Sequence, residues 1–274
     1  MSATSATVAL ARVDDPSAYR LTMARVIRSE WIKLRSVRST VVTLGFAAVA
    51  VAVFGVLVSI ISSGTAIGSD GEVVTDAAGN SLFGTNIAKL VLGVLGALLI
   101  TSEYATGLIR ATLTAVPKRL PMLWAKVIVV TAVTFTTMVV AVAVAFFAGQ
   151  ALYGGAGAGA SLFDPGVPRA LLGAALFPTA IAVMGIAFGA LLRHTATAVG
   201  LLFGMLFIVP LLLQTLGGVW VDLVSYLPSE AGQAMTGLVD DPDRLSPLTG
   251  FVVTIGWVGA LLAGAAIALT RRDA

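Results

Sequence analysis

LVLGVLGALLITSEYATGLIRATLTAVPKR, Leu90–Arg119, joins two kinds of sequence that seldom meet. Leu90 to Ile100 carries no charge, whereas the remainder holds Glu103, Arg110, Lys118 and Arg119 in a chain with only 11% charged residues. A new apolar run begins at Met122. About 20 helical residues cross a ~30 Å hydrocarbon layer, and apolar windows of that length recur along the sequence. The chain therefore reads as a multi-span membrane protein in which the polar stretch links two spans.

The composition agrees: 58% of the 274 residues are hydrophobic and the mean hydropathy is +0.98. A soluble domain of this size needs far more polar surface. With no cysteine, disulfides, thiolate metal sites and cysteine nucleophiles are excluded. The basic pI near 9.5 records topology in such a protein rather than nucleic-acid binding. No cleavable signal is visible before the first long apolar run at Thr40. Residues 1–19 read as a flexible cytosolic tail and 20–274 as a single transmembrane domain.

Six spans are expected at about 40–61, 81–100, 122–149, 168–192, 195–216 and 248–270. The second contains Asn86 and Lys89, and Lys89 is expected to snorkel toward the outer interface. With that placement, fourteen of the seventeen basic residues fall on one side. Both termini are therefore expected in the cytosol. Gly185 and Gly189 in span four, and Gly200 and Gly204 in span five, have the spacing that lets membrane helices approach closely. Gly200 and Gly204 are a possible dimer contact. Pro178 and Pro210 lie inside spans. The long outer segment Gly217–Pro247 reads as short helices at the outer interface.

Arg20–Ser39 has the pattern of a basic amphipathic helix lying on the cytoplasmic leaflet. Met23, Val26, Ile27, Trp31, Leu34 and Val37 fall within an arc of about 140°. Ile32 falls outside that arc. Glu30 falls inside it and wants a cationic partner, either Arg110 or Lys33. The opening polar stretch reads as a short cytosolic helix, Glu103–Ala115, capped by Ser102 and ended before Pro117. Such a helix either rests on lipid or docks on another protein.

The motifs resemble those of permease subunits of type-2 ABC transporters of the bacterial exporter type. An E-Y-x-x-G-x-I/L-R-x-T-L pattern, then P-x-R and a lysine, is matched by Glu103, Tyr104, Gly107, Ile109, Arg110, Thr112, Leu113, Pro117, Arg119 and Lys126. Glu30, Trp31, Lys33, Leu34, Ser36 and Arg38 resemble the family's interfacial helix, and YLPSEAGQAM from Tyr226 its last outer segment. The resemblance implies an all-α membrane protein with six transmembrane helices, an N-terminal amphipathic interfacial helix, a short coupling helix between spans two and three, and short outer helices before span six. It implies that Glu103, Tyr104, Gly107, Leu108, Arg110 and Leu113 dock on a separate ATPase subunit, present in two copies. It further implies that Asn86, Phe203, Phe207 and Gln214 are candidates to line the path, and that a second permease, identical or related, completes it. The host would be a bacterial inner membrane.

No phosphate-binding loop is present, so ATP and magnesium would be bound by the partner and no cofactor by this chain. No HExxH, paired histidine or nucleophile-elbow pattern appears, and the lone His194 reads as an interface residue. The expected function is ATP-driven export of a hydrophobic or amphipathic compound by alternating access. A stand-alone secondary transporter is the alternative, though it predicts mid-membrane ionisable residues and a repeat between halves. An intramembrane enzyme would need catalytic carboxylates or histidines clustered within spans.

Overall fold

The computed structural model describes residues 22–64, 76–107, 119–155, 159–238 and 244–271. Among them the secondary structure is helical without strands, and six helices are long and apolar enough to cross a membrane. In chain order, α1 (Met23–Ser36) precedes α2 (Arg38–Ser63). Next come α3 (Ala77–Ser81), α4 (Thr85–Ala105), α5 (Arg119–Gly155) and α6 (Val167–Leu192). The fifth span is α7 (Thr195–Phe203), a π-helical turn (Gly204–Ile208) and α8 (Val209–Leu216). Two short helices, α9 (Val219–Val224) and α10 (Pro228–Ala234), lead to α11 (Pro247–Arg271). The six expected spans are all present, and so are the short helices before the last one.

The bundle is organised around α6, the most buried span. It packs against α4 most extensively, then α5, α11 and α7, while α2 covers α5 and α4 on the other side. Glycine makes the α4–α6 contact possible. A Cβ on Gly185 would collide with the Gly93 carbonyl oxygen, and one on Gly96 with the Ala182 carbonyl oxygen. On Gly189 it would meet the Ile100 side chain, and 3.0 Å away the Ala97 carbonyl oxygen. Without a hydrophobic drive between spans, this backbone-to-backbone proximity supplies the packing energy. Gly200 and Gly204 differ: no atom of another element lies within 4 Å of a Cβ built there. Their spacing is thus not used within the chain.

Two helix boundaries correct the sequence reading. The polar stretch was expected to start a new helix at Glu103 with Ser102 as its cap. Instead α4 continues through Ala105, so Glu103 and Tyr104 belong to the last turn of the second span. The helix stops where the Thr106 N–H bonds back to Ser102 and Gly107 adopts φ +72°, a left-handed conformation suited to glycine. Leu108, Arg110 and Leu113 lie outside the described residues. The interfacial helix is also shorter than expected: Val37 is extended (φ −85°, ψ 105°), and Arg38 is the first residue of α2 rather than part of α1.

Pro210 sits at the start of α8, and the wide π-turn falls immediately before it. A proline cannot donate to the preceding turn, so the helical hydrogen-bond register changes there. Within the last span, Trp257 Nε1 donates to the Tyr226 carbonyl (2.9 Å), tying α11 to the segment between α9 and α10. Arg169 donates to the Gly237 carbonyl (2.8 Å).

Candidate functional site

The face of α1 that packs inward carries Val26, Glu30 and Leu34, one turn apart. Val26 meets Ala125 of α5. The apolar arc expected for this helix therefore divides: Val26 and Leu34 are buried, whereas Met23, Trp31 and Val37 are exposed. An acidic residue on the packed edge demands cations, and the fold supplies two. Lys126 of α5 donates to Glu30 Oε2 at 2.7 Å and to Glu103 Oε1 at 2.8 Å. Lys33, on the next turn of α1, donates to Glu30 Oε1 at 2.6 Å and reaches Glu103 Oε1 at 3.4 Å.

The result is a closed, formally neutral ring of two carboxylates and two ammoniums. It joins α1, the end of α4 and the start of α5. Glu30 (3%), Glu103 (5%) and Lys126 (4%) are almost wholly withdrawn from solvent; the Lys33 side chain is about one-third exposed, at 32%. Burial alone would raise the Glu30 carboxyl, but Lys126 and then Lys33 outweigh it and hold the group below its ordinary 4.5. Burial would likewise lower Lys33, but Glu30 and Glu103 raise it above 10.5. Both groups are thus locked in their charged forms near neutrality. Glu103 Oε2 has no hydrogen-bond partner among the described residues. Beside the ring lies a cavity of about 430 Å³, with Ser39, Thr40 and Thr43 on one wall and Leu95, Leu99 and Val130 on the other.

Of the two partners considered for Glu30, Lys33 is present and Arg110 lies outside the described residues. Lys126 was recognised only as the lysine closing a motif. A usable signal existed: Glu30 inside an apolar arc, and Glu103 at the end of an apolar run, each implying a buried counter-charge. Tyr104 is half-buried, with the Arg193 guanidinium 5.3 Å above its ring. Arg193 closes α6 with φ 56°. Thr195 Oγ1 donates to Thr101 Oγ1 at 2.8 Å, so the α6–α7 turn is fastened to the same end of α4. His194 is exposed there, and Thr197 Oγ1 lies 3.4 Å from its Nδ1.

A second polar centre occupies the other end of α4, about 21 Å away at 1.5 Å per residue. Lys89 was expected to snorkel outward, yet it is only 4% exposed. Its Nζ donates to Asn86 Oδ1 at 3.0 Å. It lies 5.2 Å from the Phe177 ring of α6 and 5.8 Å from the Phe207 ring of the π-turn. Phe207 in turn stacks on Phe203 at 4.7 Å. Three of the four path candidates, Asn86, Phe203 and Phe207, are therefore gathered around a lysine that sequence reasoning had set aside. Gln214 lines a recess of about 200 Å³ together with Glu230 and Arg244.

No cluster of three or more potential metal ligands occurs among the described residues. Compared with known proteins, residues 26–211 match the family described as ABC-2 family transporter protein. That segment contains both charged centres, the first four spans and most of the fifth. No curated protein sequence matches the chain.

Proposed function

The chain belongs to the ABC-2 family of transporter membrane proteins, whose members work with ATP-binding subunits, and we propose that it is the membrane-spanning subunit of an ATP-driven exporter. ATP and magnesium are held by a separate ATPase, two copies per complex. The cargo is a hydrophobic or amphipathic compound moved by alternating access. The termini and α1 face the cytosol of a bacterium, with Trp31 and Ile32 of α1, both exposed, resting on the inner leaflet. Leu108, Arg110 and Leu113 meet the ATPase. Gly200 and Gly204, unused inside the chain, meet a second permease copy.

The observation that carries this reading is the buried ring of Glu30, Lys33, Glu103 and Lys126. Glu103 and Lys126 lie on the two helices that bracket segment 108–118, and Glu30 and Lys33 lie on the surface helix. A push on the segment therefore reaches α1, α4 and α5 together through short, desolvated ion pairs. Such pairs resist separation because leaving one charge behind in the interior is costly.

Gentle solubilisation of the C-terminally tagged chain should bring down an ATPase with a phosphate-binding loop, about one copy per permease. Arg110→Glu should leave membrane insertion intact but uncouple ATP hydrolysis from transport. A chain that repeatedly comes away alone, while moving a compound in vesicles without ATP, would replace this reading by a secondary transporter.

A further inference from the structure

Lys89 poses a question that the ion-paired ring does not. An ammonium buried within a membrane span is normally matched by a carboxylate. Here no carboxylate among the described residues lies within ion-pair distance of it. Glu230 of α10 acts on it only through its field. The ammonium has three donors, and Asn86 Oδ1 accepts one of them. It also lies over the faces of Phe177 and Phe207, which attract a cation but accept no strong hydrogen bond. Donor capacity in a buried, aromatic site is therefore left for something that arrives.

The surroundings also provide a way in. Phe207 lies in the π-turn of the fifth span, between Gly204 and Pro210, where the regular helical register is broken. Phe203 is 48% exposed and stacks on Phe207. The α4–α6 side of the site is fixed by backbone contact at glycine, whereas the fifth span meets α4 through a side chain, Leu202 against Gly93. An apolar body sliding along Phe203 would displace Phe207 and reach Lys89 with its polar end.

We propose that Lys89 is the anion-recognising point of the cargo site, and that the cargo is an amphiphile with one acidic group, a carboxylate or phosphate. The acid accepts the unused donors of Lys89, and the apolar portion packs on Phe203 and Phe207. This inference rests on the exporter reading, and it narrows the cargo class. A cationic amphiphile would be repelled by the same ammonium, and a neutral one would leave it unmatched.

The test uses the full chain, with whatever subunit co-purifies, in nanodiscs of zwitterionic phosphatidylcholine. The probes are 11-(dansylamino)undecanoic acid and its methyl ester, followed by the blue shift of dansyl emission. The acid should bind saturably and the ester weakly. Lys89→Met should weaken acid binding about tenfold or more, the scale of a lost charge-assisted hydrogen bond, while leaving the ester unchanged. Lys89→Arg should stay within about threefold of wild type. Asn86→Asp supplies an internal carboxylate to Lys89: it should raise thermal stability and yet abolish acid selectivity. A merely structural lysine would not produce that opposition, and this variant remains informative even where Lys89→Met folds poorly. Equal binding of acid and ester, or an unchanged acid affinity in both Lys89→Met and Asn86→Asp, overturns the proposal. Capture of the ATPase by the same preparations is scored separately. An ATPase without acid selectivity sinks this inference alone, and acid selectivity without an ATPase sinks the exporter reading.

Discussion

Replacing Lys126 by methionine removes the buried lysine of the ring, which bonds both carboxylates at close range, while keeping its length. Lys126 bonds Glu30 at 2.7 Å and Glu103 at 2.8 Å, and it is 4% exposed. Taking one partner from a buried ion pair costs about 3–5 kcal/mol. The lower end applies, because Glu30 can take up a proton and Lys33 remains on its other oxygen. A loss of about 3 kcal/mol is therefore expected at neutral pH. The pH profile gives a second readout. Glu30 has a depressed folded value, so its contribution is present above 4.5 and is lost as pH falls through that lower value. Without Lys126 the value climbs, and the acid loss of stability should begin at higher pH. Lys33 is raised, so its contribution is complete below 10.5 and fades as pH rises through the folded value. Solvent screening of its part-exposed side chain keeps that alkaline effect small. Unfolding in mild detergent titrated with a denaturing one, read by tryptophan fluorescence, measures both limbs. Glu30→Gln combined with Lys126→Met should cost at least about 1 kcal/mol less than the two single losses together. A Lys126→Met chain within about 0.5 kcal/mol of wild type, with additive double-variant behaviour, would refute the reasoning.

Three further predictions use the same unfolding assay. Gly185→Leu must push Gly93 of α4 away from α6 and should cost about 1–3 kcal/mol or more. Gly200→Leu, with open space around it, should leave the monomer's stability unchanged while reducing cross-linking between copies. Trp257→Phe removes the hydrogen bond to the Tyr226 carbonyl and should cost about 0.5–1.5 kcal/mol. Protease cleavage between α9 and α10 should become faster, and an unchanged cleavage rate would show that this tie does not hold the segment.

Much of the fold was legible because it depends on local quantities. Apolar run length set the six spans, and the glycine spacing at Gly185 and Gly189 marked a helix contact that the structure uses. The α4 end was misread because Ser102 and Glu103 look like the beginning of a polar helix when taken alone. What keeps Glu103 in the span is a pair of lysines, Lys126 at twenty-three residues' separation and Lys33 at seventy. Glu30 and Lys126 are ninety-six residues apart, beyond anything a helical period can encode. Lys89 was misjudged for the converse reason: a lysine near a helix end snorkels when lipid surrounds it, but here α6 and the π-turn close over it. The π-turn itself has a local cause in Pro210, though the sequence alone did not distinguish a kink from a widened turn.

The two charged centres differ in what they can transmit. Both lie on α4, whose contact with α6 is made backbone to backbone at Gly93, Gly96, Gly185 and Gly189. A helix pair held that closely moves as one body, because a small rotation brings carbonyl oxygens into collision. Displacement of the ring at Glu103 is therefore carried along α4 to Lys89 with little lost to bending. The fifth span meets Lys89 through Phe207, in a π-turn beside Pro210, and reaches Gly93 of α4 through the Leu202 side chain rather than backbone to backbone. Relative motion at the Lys89 end must then fall between α4 and the fifth span, where Phe207 covers the ammonium. A force applied near Glu103 would be expressed about 21 Å away as the covering or uncovering of one buried cation.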